Sequence, residues 1–166
     1  MSEIRSAVET DAQALTDLYN HYVVNTASTF EEEAVAPMAM WDRIEQVQSG
    51  LGLPWIVLEQ NGELLGYACA VRWKLRSAYR FSCESSIYLH QDATGMGLGA
   101  VLYRALIDQL RERDIHTVLG GIALPNASSV ALHEKLGFNK VAHLREVGYK
   151  FGQWVDVGYW QLDFRD

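Results

Sequence analysis

Cysteine, proline, positive charge and long apolar runs are all scarce in this 166-residue chain. There are two cysteines, Cys69 and Cys83, with neither C-x-x-C nor metal-ligand spacing. That excludes a disulfide-stapled miniprotein and a cysteine metal site, and it predicts reduced, buried thiols of a cytoplasmic protein. No stretch approaches the roughly 18 apolar residues needed to span a bilayer. The opening MSEIRSAVETD lacks the apolar core of a signal peptide, so a membrane role is not expected. Lys and Arg number 14 against 21 Asp and Glu, a net charge of -7. An acidic surface repels phosphate backbones and disfavours nucleic acid as a partner, without forbidding a local basic pocket. Repeats, low-complexity tracts and Pro/Gly/Ser linkers are also missing. What is there is ordinary: 49% hydrophobic and 21% charged residues. A chain of this length and composition forms one domain, over 1–166, with a sizeable core.

The apolar periodicities predict a strand over Glu3–Val8, then a helix capped by Thr10 with Ala14, Leu15, Leu18, Tyr19 and Tyr22 on one face. Pro37 opens a second helix, Met38–Gln48. Trp55–Glu59 and Leu64–Trp73 are strands joined by the hairpin signal Asn61-Gly62. Phe81–His90 is a strand and Gly97–Glu112 a long helix with Val101, Leu102, Leu106, Ile107 and Leu110 inward. His116–Leu124 is a strand, Ala127–Leu136 a helix, Gly137-Phe138 restarts a strand, and Trp154–Phe164 is the last strand. The order β-α-α-β-β-β-α-β-α-β-β is that of an α/β fold with a mixed sheet. Its β-α-β-α-β second half requires at least one parallel pair.

The sharpest local feature is Gly95-Met96-Gly97-Leu98-Gly99-Ala100, between the strand Ile87-Tyr88-Leu89 and the long helix. Alternate glycines let the backbone turn tightly against a ligand. The amides and dipole of the helix start then favour an anion, so the turn reads as a pyrophosphate cradle. It also satisfies G-x-G-x-x-A, the dinucleotide-binding pattern. Its place past mid-chain, with no acidic residue closing the next strand, argues against that reading. A Walker loop is excluded because no Gly-Lys-Ser/Thr follows. A plain strand–helix turn without ligand is the remaining alternative.

With the segment Asn126-Ala127-Ser128-Ser129-Val130-Ala131-Leu132-His133-Glu134-Lys135-Leu136-Gly137-Phe138, this turn resembles the GCN5-related N-acetyltransferase superfamily. Thr94 stands where that family's phosphate motif usually has Gln or Arg. A narrower resemblance covers nearly the whole chain. Asn20-His21-Tyr22, Trp73-Lys74-Leu75-Arg76-Ser77-Ala78-Tyr79, Glu84-Ser85-Ser86-Ile87-Tyr88-Leu89, Leu124-Pro125-Asn126 and the tail Gly148–Leu162 are similar to phosphinothricin acetyltransferases. These enzymes and close relatives acetylate the α-amine of glutamate-like compounds, including methionine sulfoximine and sulfone, with acetyl-CoA as cosubstrate. The resemblance implies the superfamily fold, a mostly antiparallel mixed sheet of about seven strands flanked by four helices. It also implies a cytoplasmic homodimer, a small amino-acid substrate and no metal.

The resemblance and the residues together nominate a site. Gly95, Met96, Gly97, Leu98, Gly99 and Ala100 would hold the pyrophosphate of acetyl-CoA. Ile87, Tyr88 and Leu89 lie at a strand end where ligands collect, and the Tyr88 or Leu89 N–H would receive the oxyanion. Asn126 would contact the pantetheine or diphosphate; an N-cap role is its alternative. Glu84 interrupts small and apolar residues, a setting that raises a buried carboxyl's pKa and suits a general base, directly or through water. Strand alternation puts Ser86 on its face and Ser85 opposite.

His133 occupies the place of a superfamily tyrosine that acts as general acid toward sulfur; packing is the alternative. Lys74, Arg76 and Arg80 concentrate positive charge in one loop, where Arg76 suits a substrate carboxylate. Leu75, Tyr79, Ser85 and Ser86 complete the expected substrate contacts. Two rival readings remain: acetylation of another amine (a protein N-terminus, polyamine or aminoglycoside), and a non-catalytic acyl-CoA-binding module.

Overall fold

The computed structural model describes residues 1–165. Seven strands form one sheet in the order β1-β2-β3-β4-β5-β7-β6. They are β1 Ser2–Ser6, β2 Trp55–Gln60, β3 Glu63–Arg72, β4 Ser82–Leu89, β5 Thr117–Leu124, β6 Asn139–Lys150 and β7 Gln153–Asp163. Four α-helices accompany them: α1 Ala12–Asn25, α2 Pro37–Glu45, α3 Leu98–Arg111 and α4 Ala127–Lys135. Element order and number follow the periodicity. Every pair is antiparallel except β4 with β5, the parallel pair that the second half required.

Local departures have local causes. Thr10 does not cap α1; a 3-10 turn, Glu9–Asp11, precedes the helix. The Asp11 carboxylate accepts from the Val8 N–H at 2.8 Å and pairs with Arg5, which also reaches Glu59 on β2. This ion-pair group ties the helix start to the sheet. Along α1, Ala14 faces solvent while Thr16 and Val23 are buried. The second helix is shorter than expected: after Glu45 it widens into one π turn, Gln46–Gly50. On α3, Val101 is outward and Tyr103, fully buried, takes the inward place.

The β2–β3 hairpin turns at Asn61-Gly62, both at positive φ, as the dipeptide predicted. Phe151-Gly152 makes a second such turn between β6 and β7, with Phe151 at φ 52. The core lies on both faces of the sheet. Leu15, Leu18, Val23, Met40 and Ile44 cover one face. Leu102, Leu106, Leu110 and Phe138 cover the other.

Candidate active site

β4 and β5 pair only from Ser82·Thr117 to Ser85·Gly120. Beyond that point Ser86–Leu89 and Gly121–Leu124 diverge, and a backbone edge on each side is left without a strand partner. Buried peptide groups demand hydrogen bonds, so this wedge invites a ligand that offers them. It opens into a cleft of ≈ 400 Å³.

The Trp73 N–H donates to the Ser82 carbonyl and the His90 N–H to that of Leu65, so even-numbered residues of β4 address β3. Ile87 and Leu89 therefore turn their peptide groups to the wedge. Of the two expected oxyanion donors, Tyr88 N–H faces away and Leu89 N–H faces in. The Leu89 carbonyl is already taken by the Tyr22 hydroxyl.

The glycine turn closes one end of the wedge. Gly95 (φ 76) and Gly97 (φ 77) are left-handed with open space around them, so conformation rather than crowding requires glycine there. Gly97 is the N-cap of α3 and has no side chain to offer, so the first amides of the helix stay open for an anion. Gly99 lies close to Leu89 and Leu132; a Cβ there would stand 3.4 Å from each. Gly95, Gly97, Gly99 and Ala100 line the cleft. Met96 and Leu98 do not. Met96 borders a separate outer groove with His21 and His90, and Leu98 packs against the core. The Thr94 hydroxyl donates to the Gln91 carbonyl at 3.1 Å, so it shapes the turn. Asn126 both lines the cleft and caps α4, accepting from the Ser129 N–H at 3.2 Å.

Glu84 and Ser85 point to opposite faces. Glu84 stands beside Gly121, where a Cβ would lie 3.4 Å from its Oε2 and 3.1 Å from the Tyr159 ring. Burial pushes the Glu84 carboxyl above its ordinary value, and the Lys74 ammonium partly offsets this. Ser85 is 5% exposed, and its hydroxyl lies 2.5 Å from that of Tyr103. The Tyr103 hydroxyl lies 3.0 Å from His133 Nε2, and His133 Nδ1 lies 2.7 Å from the Ser129 carbonyl.

A carbonyl only accepts, so Nδ1 carries the proton. In the neutral ring Nε2 then accepts from Tyr103, which in turn accepts from Ser85. Burial lowers the His133 pKa and favours this neutral form. Gly120 makes the room: a Cβ there would meet Nε2 at 2.6 Å. His133 lines the cleft but has no N–H free to face it.

The basic loop does not close on the cleft of its own chain. Leu75, Arg76, Tyr79 and Arg80 are exposed and absent from its lining. Arg80 lies over Phe81 and donates to the Ser77 carbonyl. Lys74, over the Trp73 ring, is the cation whose charge reaches Glu84. Sequence reasoning missed Tyr22, Tyr103 and Gly121. Only the aromatic in the Asn20-His21-Tyr22 run carried any signal.

A sheet splayed at a parallel pair, with an uncapped glycine turn at its mouth, defines an acetyltransferase of the GNAT type. The chain belongs to that family: the acetyltransferase (GNAT) domain model matches residues 4–158. It is 40% identical to the phosphinothricin N-acetyltransferase of Streptomyces viridochromogenes, over 98% of this chain and 87% of the relative. It is 38% identical to the L-methionine sulfoximine/L-methionine sulfone acetyltransferase of Salmonella typhimurium, over 96% of this chain and 92% of the relative. Among solved structures, a Salmonella typhimurium acetyltransferase with acetyl-CoA superposes with a TM-score of 0.96 at 36% identity, covering 100% of this chain and 95% of that one. A Sinorhizobium meliloti phosphinothricin acetyltransferase in complex with acetyl-CoA gives 0.94 at 32%, covering 98% and 88%.

Proposed function

We propose that this protein acetylates the α-amine of phosphinothricin, methionine sulfoximine, methionine sulfone or a similar glutamate-like amino acid, with acetyl-CoA as donor. The observation that carries this is the wedge between β4 and β5, ending at the open start of α3 and lying beside the half-buried carboxyl of Glu84. The Ile87 and Leu89 peptide groups pair with the pantetheine arm. Gly95, Gly97, Gly99 and the first amides of α3 hold the pyrophosphate, and Asn126 borders it. Glu84 takes a proton from the acceptor ammonium, directly or through water. The amine nitrogen then bonds to the thioester carbonyl carbon, whose oxygen draws on the Leu89 N–H. The carbon–sulfur bond breaks, the departing sulfur gains a proton, and the amine loses its second.

The neutral, doubly bonded His133 lacks the N–H that a resident acid toward sulfur needs. We assign it instead to tying α4 to α3 and β4, through Tyr103 and Ser85. That replaces the general-acid role implied by the resemblance. Incubation with acetyl-CoA and methionine sulfoximine is expected to release free CoA; no release with any amino-acid analogue overturns the reading.

The chain is further inferred to work as a cytoplasmic homodimer. β6 is an edge strand, and Val147, Tyr149, Phe151 and Trp154 on its hairpin are each more than half exposed. An apolar edge of this kind invites a second strand. A partner there could also receive the Lys74–Arg80 loop. Sedimentation should give twice the chain mass, and Trp154→Glu should shift it toward monomer; a monomeric wild type removes the dimer. Among the described residues no helix is long and apolar enough to cross a membrane.

A further inference from the structure

The loop after α1 is held by the opposite edge of the sheet. β5 ends at Leu124, which pairs with Asp156 of β7; the β6–β7 hairpin runs on past it, with Gly148 opposite Val155 and Lys150 opposite Gln153. Helix α1 lies over β3 and β4, where Tyr19 meets Tyr88 edge-on at 5.2 Å. Between that helix and the hairpin tip there is no strand, only the open end of the wedge. Residues 26–36 span the gap. Period two puts Tyr88 on the face of Glu84. It also puts Gly148, Lys150 and Val155 on the face of Tyr159, which stands with Glu84 beside Gly121. The segment therefore straps the wedge on its Glu84 side, and Ser28 within it lines the cleft.

Three contacts fasten the strap. The Phe30 ring fills the space over Gly148, where a Cβ would collide with it. The Thr29 hydroxyl lies 2.8 Å from that of Tyr19. The Lys150 ammonium donates to the Thr29 carbonyl at 2.7 Å. The last contact is the costly one. Lys150 is 2% exposed, and among the described residues no carboxylate pairs with it. Glu31 is bound to Arg43, and Glu31 and Glu32 act on Lys150 only from a distance. A buried cation with one neutral acceptor stabilises a fold less than an apolar side chain of the same length would. What it contributes is placement, since it fixes the Thr29–Phe30 peptide one residue from Ser28.

We propose that Lys150 is a positioning residue for the acceptor: it pins the strap 26–36 across the wedge, so that the amine is confined between Ser28 and Glu84. The inference rests on the amino-acid N-acetyltransferase reading above. The cofactor is held by other parts, the β4 edge and the glycine turn. A loosened strap then frees the acceptor and leaves acetyl-CoA in place.

The test measures both KM values, for acetyl-CoA and for L-methionine sulfoximine, in the wild type and two variants. Lys150→Met keeps the length of the side chain and removes the donor. Phe30→Ala withdraws the strap's other anchor at a position 39% exposed, with Lys150 intact. Each variant is expected to raise KM for the amine by about tenfold or more, with KM for acetyl-CoA within about twofold of wild type. The double variant should lose little beyond the worse single one, because both release the same strap. Amides of residues 29–33 should exchange faster in Lys150→Met while those of β4 do not change. Equal rises in the two KM values overturn the positioning role. An unchanged KM for the amine in a folded variant overturns it as well; where Lys150→Met does not fold, Phe30→Ala decides. A wild type that acetylates no α-amino acid, although CoA stabilises it thermally, overturns the functional reading and the acceptor role with it.

Discussion

The two sides of the active site are built by different means. On the cofactor side the parts are backbone: the splayed edges of β4 and β5, two left-handed glycines and an uncapped helix start. All but the β5 edge lie close together in sequence, from Ile87 to Ala100; that edge, Gly121–Leu124, is followed by Asn126. On the acceptor side the parts are side chains from distant segments: Glu84 from β4, Lys74 from the loop after β3, Tyr159 from β7. Backbone dipoles bind any ligand with the right anion and amide groups. Side chains set which amine arrives and in what protonation state. Changes on the two sides should therefore separate cofactor affinity from turnover.

The largest effect is expected at Glu84. Glu84→Gln should lower kcat by about 10²–10⁴-fold while leaving thermal stabilisation by CoA intact. Loss of CoA binding in that variant would break the division between the two sides. In the wild type the rate should rise with pH as the Glu84 carboxyl ionises. Burial places that limb above 4.5, the ordinary glutamate value.

A smaller effect sharpens the boundary at His133. His133→Gln can still bond to Tyr103 and Ser129, so turnover should stay within a few-fold of wild type; a fall of about 10²-fold or more would restore histidine as the acid. The same residue makes stability depend on pH. Its folded pKa lies below the ordinary 6.5, so below pH 6.5 the unfolded chain binds a proton that the native state does not. Stability is expected to fall as pH drops through that value, and His133→Gln should flatten the slope in urea titrations.

The smallest effect is expected at Asn126, which stands on the seam between capping and binding. Asn126→Ala should cost about 1 kcal/mol through the lost cap. A several-fold rise in KM for acetyl-CoA should accompany it; destabilisation with an unchanged KM would leave Asn126 as a cap alone.

These differences also explain what the amino-acid sequence disclosed. The cradle was legible because glycines at alternate positions between a strand and a helix have a conformational meaning that needs no tertiary context. The register of Glu84, Ser85 and Ser86 followed from period two. Which peptide groups faced the wedge did not, because that depends on which neighbour each residue of β4 pairs with. The proton order through Ser85, Tyr103 and His133 joins three elements and was invisible. Tyr103 resembled any other apolar position of α3. The exposed Lys74–Arg80 loop shows the opposite limit, since a charge cluster in sequence states its sign but not the surface it serves. The π turn after α2 had no signal, and a continuous helix was expected there.

The wedge also sets a timetable for solvent exchange. The Ile87 and Leu89 amides belong to a central strand, yet no neighbouring strand covers them. In the free protein they should exchange with deuterium far faster than Tyr88, whose N–H is turned toward β3. A bound pantetheine arm would slow those two and leave Tyr88 unchanged. An odd–even alternation of protection along a single interior strand would then record cofactor binding residue by residue.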